Sequence, residues 1–437
     1  MDKKFGLLGG KLGHSFSPLI HSYLGDYDYR LFEVPPDGLD SFMIARDFDG
    51  INVTIPYKQD VMSYCSTLSD EARTIGCVNT IIKDKNGDLH GHNTDYYGFK
   101  MLLKYGGFNP AGWKAVVLGD GGSARTVRAV LNDLGAKEII TVSRLGENNY
   151  SNIAKHYDAE LLVNTTPVGM FPNTGILPVC IKGFTQLKAI ADLVYNPSKT
   201  KIHLEAERLG VPCVNGLAML VAQAEMASRL FLGGSDQADN ESGFISKDSA
   251  SDQSETELLE SVIQKVLMKT LNIAIIGMPG CGKSSVGKAL ASELGRQLVD
   301  IDELIETASG KNIPDIFAQN GEDYFRSLES RILSDEAKKS GLVIATGGGV
   351  VTQTENLDTL RQNSVVIYLK RDLHELSING RPLSGTVGIE ELAKQRLPLY
   401  ETWSDCAVES GEDEEQTASR MMEALTKFEL SKAMEEK

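Results

Sequence analysis

The chain has 437 residues, 41% hydrophobic and 24% charged, with a formal net charge of -16. That length exceeds one ordinary core, so two or three domains of a soluble globular protein are expected. No run approaches the ~18 apolar residues of a membrane span, Met1-Asp2-Lys3-Lys4-Phe5-Gly6 lacks the apolar stretch of a signal peptide, and the acidic balance disfavours a general nucleic-acid binder, which needs Lys/Arg patches. The expectation is a cytoplasmic protein acting on small molecules, with neither nucleic acid nor membrane as partner. The six cysteines are scattered without paired ligand spacing, so reduced thiols are expected rather than a disulfide framework or zinc site.

In chain order, residues 1–100 read as short strands alternating with helices. Phe5 to Gly9 is a strand, Pro18 to Tyr23 begins a helix, and Asp49 to Thr54 is a buried strand closed by Pro56. Thr80-Ile81-Ile82-Lys83 and Leu89-His90-Gly91 form a hairpin about Asn86-Gly87. From 101 to 215 the rhythm becomes βαβ, with strands at Lys114–Leu118, Glu138–Val142, Glu160–Asn164 and Ala189–Val194. That pattern predicts an α/β, doubly wound parallel sheet. The apolar helical segment 216–233 completes the first domain, and the polar, acidic stretch 234–270 is expected to be a linker without a core of its own. A third unit, 271–437, adds strands at Leu342–Ala345 and Val365–Leu369 and a core helix carrying Met421, Met422, Leu425 and Phe428.

Two glycine-rich loops carry the first chemical signals. Gly119, Gly121 and Ala124 satisfy G-x-G-x-x-G/A between a strand and a helix, which reads as a Rossmann-type dinucleotide loop, with Gly122 and Ser123 opening the helix. After the next strand comes Ser143-Arg144, where a guanidinium suits a 2′-phosphate, so NADP(H) is preferred over NAD. No further basic residue follows until Lys155. Later, Gly277-Met278-Pro279-Gly280-Cys281-Gly282-Lys283-Ser284, followed by Ser285, is a P-loop between strand and helix. Its backbone N–H groups would cradle phosphates of ATP or GTP, Lys283 would reach the β/γ-phosphates and Ser284 would hold Mg²⁺. A thiol at Cys281 on such a loop is a candidate for a lowered pKa.

Ser15-Phe16-Ser17-Pro18, Gly50 to Lys58, Gly76 to Thr80, Gly91 to Asp95, Asn164 to Met170, Asp192 to Pro197 and Gly216 to Gln223 occur in an order that resembles the shikimate dehydrogenase family over the first ~230 residues. The resemblance implies that Ser15, Ser17, Asn52, Thr54, Asn79, Tyr195 and Gln223 bind shikimate and that Lys58 and Asp95 are the catalytic pair. It places Gly216 at the cofactor site. An ammonium beside the reacting carbonyl suits the chemistry, because hydride reduction builds alkoxide charge.

In the second half, Val299-Asp300-Ile301-Asp302 ends a strand predicted beside the P-loop, and alternation sends both carboxylates to one face. Phe325-Arg326 with Glu329 follows a Gly321-Glu322 turn. Thr346-Gly347-Gly348-Gly349 closes a strand, and Arg381 lies in a glycine-bounded segment followed by Arg396. This series resembles shikimate kinase over 271 to about 430. The resemblance implies Asp302 as the base on the acceptor hydroxyl, Arg326 and Arg396 as a carboxylate clamp, Gly347, Gly348 and Gly349 in the substrate pocket, Arg381 as a lid residue and Asp300 in support of Mg²⁺. The expectation is a two-step enzyme that reduces 3-dehydroshikimate and phosphorylates the shikimate formed. Two alternatives stand beside it: a first half that prefers quinate or NAD, and one half reduced to a regulatory nucleotide-binding module.

Overall fold

The computed structural model describes residues 3–13, 15–233, 249–376 and 388–427. The chain divides into two compact units. One comprises the chain up to Val168, Leu177–Tyr195 and Glu205–Val266; the other comprises Gly169–Ile176, Asn196–Leu204 and the chain from Leu267 onward.

Unit 1 opens with β1 (Phe5–Gly9), α1 (Ser17–Leu24), β2 (Tyr29–Glu33), α2 (Leu39–Ala45), β3 (Gly50–Val53), β4 (Thr67–Leu68), α3 (Asp70–Ile75), β5 (Thr80–Lys83), β6 (Leu89–His92) and α4 (Thr94–Tyr105). The six strands form one mixed sheet in the order β2-β1-β3-β5-β6-β4. The expected hairpin is β5/β6, antiparallel with Thr80 opposite His92. Helix α4 starts where it does because the Asn93 side chain accepts from Tyr96 N at 3.2 Å. Asp95 therefore stands in the first turn, where the helix dipole favours a carboxylate.

Next come β7 (Lys114–Leu118), α5 (Gly122–Asp133), β8 (Glu138–Val142), β9 (Leu161–Asn164), β10 (Ala189–Asp192), α6 (Lys201–Leu209) and β11 (Cys213–Val214). Their sheet runs β11-β10-β9-β7-β8, and every pairing is parallel. This is the expected doubly wound sheet. Its topological switch lies between β7 and β9, where ligands of such sheets bind. Helix α7 (Leu217–Gly233) returns to the first sheet, and Phe231 stacks on Phe5 with ring centroids 4.6 Å apart.

The stretch 234–270 is not a linker throughout. Helix α8 spans Ser249–Thr270, and Leu259, Val262, Ile263 and Val266 are buried. Within unit 1, Arg229 on α7 donates to Glu255 at 3.0 Å, and Tyr97 on α4 donates to the same carboxylate at 3.4 Å. Apolar residues at three- and four-residue spacing give α8 a face to bury, worth roughly 1.5–3 kcal/mol per large side chain. The polar residues ahead of them mask that face in the composition.

Unit 2 contains β12 (Asn272–Ile276), α9 (Lys283–Leu294), β13 (Leu298–Asp300), α10 (Ile301–Ser309), α11 (Ile313–Ala337), β14 (Val343–Ala345), α12 (Glu355–Asn363), β15 (Ser364–Lys370), α13 (Ile389–Trp403), β16 (Cys406–Glu409) and α14 (Glu414–Lys427). The sheet is parallel in the order β13-β14-β12-β15-β16. The strand carrying Asp300 is thus one strand removed from the P-loop strand rather than beside it, because β14 intervenes. Helix α11 is kinked at Gly321 (φ 82°), in agreement with the turn expected there. No helix among the described residues is long and apolar enough to cross a membrane.

Candidate active sites

In unit 1, β3, β5 and the β6–α4 junction bring a chain of neutral polar side chains together. Asn52 Nδ2 donates to Thr80 Oγ1 at 3.0 Å, and the hydroxyls of Thr80 and Thr94 lie 3.1 Å apart. Thr94 N donates to Asn79 Oδ1 at 2.7 Å, while Asn79 Nδ2 donates to Thr94 Oγ1 at 3.0 Å and to Gln223 Oε1 at 3.4 Å. Tyr29 OH donates to Asn52 Oδ1 at 2.7 Å. Asn52, Asn79, Thr80, Thr94 and Gln223 are all buried. Each amide is therefore held in one orientation, and its remaining hydrogen-bonding capacity is aimed. Thr80 and Thr94 carry no role in the sequence reading, because nothing in their immediate neighbours signals the bonds they make.

Lys58 lies beside this chain. Its carbonyl accepts from Val78 N at 2.8 Å, and the preceding Tyr57 is 1% exposed, its hydroxyl bonded to the Val34 carbonyl. With its backbone so anchored, Lys58 Nζ donates to Asp95 Oδ2 at 2.6 Å, the two side chains being 18% and 10% exposed. Burial works against the Lys58 ammonium, but the charge of Asp95 and its hydrogen bond outweigh that, and the pKa is raised. The lysine is a fixed cation with a carboxylate behind it. Thr54 is partly buried, and its N–H donates to Leu8 O at 2.9 Å. Ser15 and Ser17 bond to each other, Oγ to Oγ at 3.1 Å, and the Tyr195 ring lies 5.3 Å from that of Phe16.

The glycine-rich loop from Gly119 to Gly121 joins β7 to α5. Gly119 has φ 104°, and a Cβ there would stand 2.7 Å from Thr165 Oγ1, so the β7 and β9 loops meet at the switch point. Gly121 caps α5 with no side-chain hydrogen bond. The first-turn N–H groups of Gly122, Ser123 and Ala124 accordingly have no intrahelical partner and suit a pyrophosphate. Ser143 is buried and Arg144 is exposed. Gly216 is explained by packing, since a Cβ there would fall 2.1 Å from Leu193 O.

In unit 2 the P-loop bends through positive φ at Gly277, Gly280 and Gly282 before α9. Lys283 Nζ donates to the carbonyls of Gly277 and Met278 at 2.9 and 3.0 Å. Its charge is thereby folded into the loop that would receive phosphate. Ser284 and Ser285 are exposed, whereas Cys281 is buried. β13 stops at Asp300, whose side chain caps α10 by accepting from Asp302 N at 3.0 Å and Glu303 N at 3.3 Å. Asp302 is therefore a first-turn helical residue, and strand alternation does not decide where it points. Asp300 and Ser284 provide the oxygen ligands a divalent cation prefers.

Around the triple glycine, charge converges. A Cβ on Gly347 would lie 2.3 Å from Glu329 Oε1 and 2.9 Å from Asp302 Oδ1. On Gly348 it would lie 2.7 Å from Pro279 of the P-loop, and on Gly349 2.2 Å from Arg326 Nη1. Arg326 donates to Glu329 at 2.7 Å and to Glu322 at 3.2 Å. Arg396 Nη1 donates to Gly348 O at 3.2 Å, and Tyr400 OH bonds to the same carbonyl. Arg326, Arg396 and Glu329 are buried, yet Arg396 Nε has no hydrogen-bond partner among the described residues. Burial pushes the Arg396 pKa down and the Glu329 pKa up. A desolvated guanidinium with an unmet donor fits a carboxylate. Glu329, which the sequence shows without indicating a role, is the residue that holds Arg326. Arg381 lies outside the described residues.

Comparisons with known proteins agree with this division. The shikimate dehydrogenase substrate binding domain family matches residues 7–81, and the shikimate kinase family matches residues 279–426. A shikimate dehydrogenase (NADP(+)) of Clostridium perfringens is 40% identical over 252 residues, which is 53% of this chain and 93% of the relative. Among solved structures, a chorismate mutase/shikimate 5-dehydrogenase fusion protein from Clostridium acetobutylicum is 36% identical with a TM-score of 0.52, covering 61% of this chain and 98% of its own. Shikimate dehydrogenase 1 from Peptoclostridium difficile is 29% identical with a TM-score of 0.53, covering 61% and 99%. The chain belongs to the shikimate dehydrogenase family and continues into a shikimate kinase domain, which makes it a bifunctional enzyme of the shikimate pathway.

Proposed function

We propose that the two units act in succession on one small molecule: unit 1 reduces 3-dehydroshikimate to shikimate with NADPH, and unit 2 transfers a phosphoryl group from ATP, with Mg²⁺, to the shikimate 3-hydroxyl. The observation that carries the reading is that each unit pairs a nucleotide loop with an acid–base group, Lys58 with Asp95 in one and Asp302 beside Gly347 in the other.

In unit 1, NADPH supplies the hydride. Lys58 Nζ stabilises the oxygen that gains negative charge and gives it a proton, while Asp95 orients the ammonium. Asn52, Thr54, Asn79, Gln223, Ser15, Ser17 and Tyr195 hold the hydroxyls and carboxylate. Gly119, Gly121, Gly122, Ser123 and Ala124 receive the pyrophosphate, with Ser143, Arg144 and Gly216 completing the cofactor site. In unit 2, Arg326 and Arg396 grip the carboxylate, Asp302 takes the hydroxyl proton, and Lys283 with Gly280, Cys281 and Gly282 holds the phosphates. Ser284 and Asp300 would hold Mg²⁺, Asp300 through water, with Ser285 next in the helix. This is catalysis by positioning and charge stabilisation, as phosphoryl transfer requires. A one-pot assay tests it: 3-dehydroshikimate, NADPH, ATP and Mg²⁺ should give shikimate 3-phosphate, with one NADPH and one ATP consumed per product. NADPH oxidation without ATP consumption would remove the second half of the proposal.

A further inference from the structure

Strands β7 and β8 are neighbours with Leu118 opposite Val142, and Gly119 N donates to Val142 O at 2.8 Å. The chain leaves both parallel strands at the same end of the sheet. Asp120 and Arg144 each follow that register pair by two residues. Both are exposed, and neither is in an ion pair with a described residue. The half-buried Tyr150 senses both: burial raises its pKa, Arg144 opposes the rise and Asp120 adds to it. Asp120 is also the residue between the two leading glycines of the dinucleotide loop. A carboxylate in an anion-receiving loop opposes phosphate by like-charge repulsion, and it can accept a hydrogen bond from a hydroxyl.

We propose that Asp120 is a specificity-determining residue for the cofactor: its carboxylate accepts a hydrogen bond from the 2′-hydroxyl of NAD and repels the 2′-phosphate of NADP, so it narrows the preference that Arg144 sets. The proposal rests on the dinucleotide reading of unit 1. A carboxylate is the usual acceptor for a ribose 2′-hydroxyl, supplied in most such sheets from the end of the second strand. Here Arg144 occupies that place, and Asp120 supplies the carboxylate from the adjoining loop.

Equilibrium binding of NADP⁺ and NAD⁺ to the full chain tests it without any turnover. Asp120→Asn removes the charge and keeps hydrogen-bonding capacity. It should tighten NADP⁺ by about tenfold and change NAD⁺ by less than about twofold, an effect that shrinks as salt rises. Asp120→Ala should tighten NADP⁺ and weaken NAD⁺. Equal shifts for the two dinucleotides would mean that Asp120 acts on the shared pyrophosphate, and no shift that it acts on neither; both results overturn the inference alone. Failure of the unaltered chain to bind either dinucleotide would overturn the reading of unit 1 and the inference together.

Discussion

Around Lys58 and Asp95 the polar surface is otherwise neutral, built from Asn52, Thr80, Asn79, Thr94 and Gln223, whereas around Asp302 it is built from charges, Arg326, Glu329 and Arg396. If both surfaces bind shikimate, one ligand is recognised in two chemical ways. The neutral chain is satisfied by its own reciprocal bonds and needs the ligand only to extend them. Among the described residues the charged cluster is left unsatisfied on both sides, with a donor unmet at Arg396 Nε and an acceptor unmet at Glu329 Oε1. The difference follows from the chemistry of each step. A dehydrogenase needs one fixed proton donor in an otherwise quiet field, while a kinase must hold an anion beside other anions.

The largest effects should come from the reacting groups. Lys58→Ala should lower reductase kcat/KM by roughly 10²–10⁴-fold and leave shikimate phosphorylation intact, and Asp302→Asn should do the reverse. Loss of both activities from either change would break the comparison. Next, Arg396→Ala should raise the kinase KM for shikimate by about 100-fold, the scale for truncating one partner of a buried charge pair. Arg396→Lys should restore little of it, because an ammonium does not reproduce the planar fork. Thr94→Val should act more mildly, costing about 0.5–1.5 kcal/mol in unit 1 stability through the lost hydroxyl bonds to Asn79 and Thr80, with a rise in reductase KM and little change in kcat. Thermal unfolding with steady-state kinetics separates these.

The smallest effect is in pH. The Lys58 pKa is raised above its ordinary 10.5. The stability it contributes is therefore full below 10.5 and is lost only as pH rises through the higher folded value. The alkaline limb of the reductase profile should lie above the ordinary lysine range, and Asp95→Asn should move it down. An unmoved limb would mean that the carboxylate does not hold the proton on Lys58.

Much of this is legible in the sequence. Period-two and continuous apolar runs mark β1, β3, β7, β8, β12 and β15, and Asn86-Gly87 marks the β5/β6 hairpin. Both glycine loops are plain because strand, glycines and helix are contiguous. What escapes depends on partners distant in sequence. Thr80 and Thr94 are defined by bonds to Asn52 and Asn79. Glu329 is defined by Arg326 one helical turn away and by Gly347 across the site. Asp302 reads as a strand residue because the Asp300 cap, which ends β13, is a local competition that alternation does not register. α8 reads as linker because an acidic, serine-rich start outweighs the spacing of Leu259, Val262, Ile263 and Val266.

The triple glycine has a bearing on drug resistance. A Cβ at Gly347, Gly348 or Gly349 would strike Glu329, Pro279 or Arg326 in turn, and every missense change in a glycine codon adds at least that atom. At Gly348 the atoms struck are the ring and backbone nitrogen of Pro279, so an inhibitor seated there would touch main chain that the target has no ready way to redraw. Escape would have to come from elsewhere in the pocket, at residues the compound could be shaped to avoid.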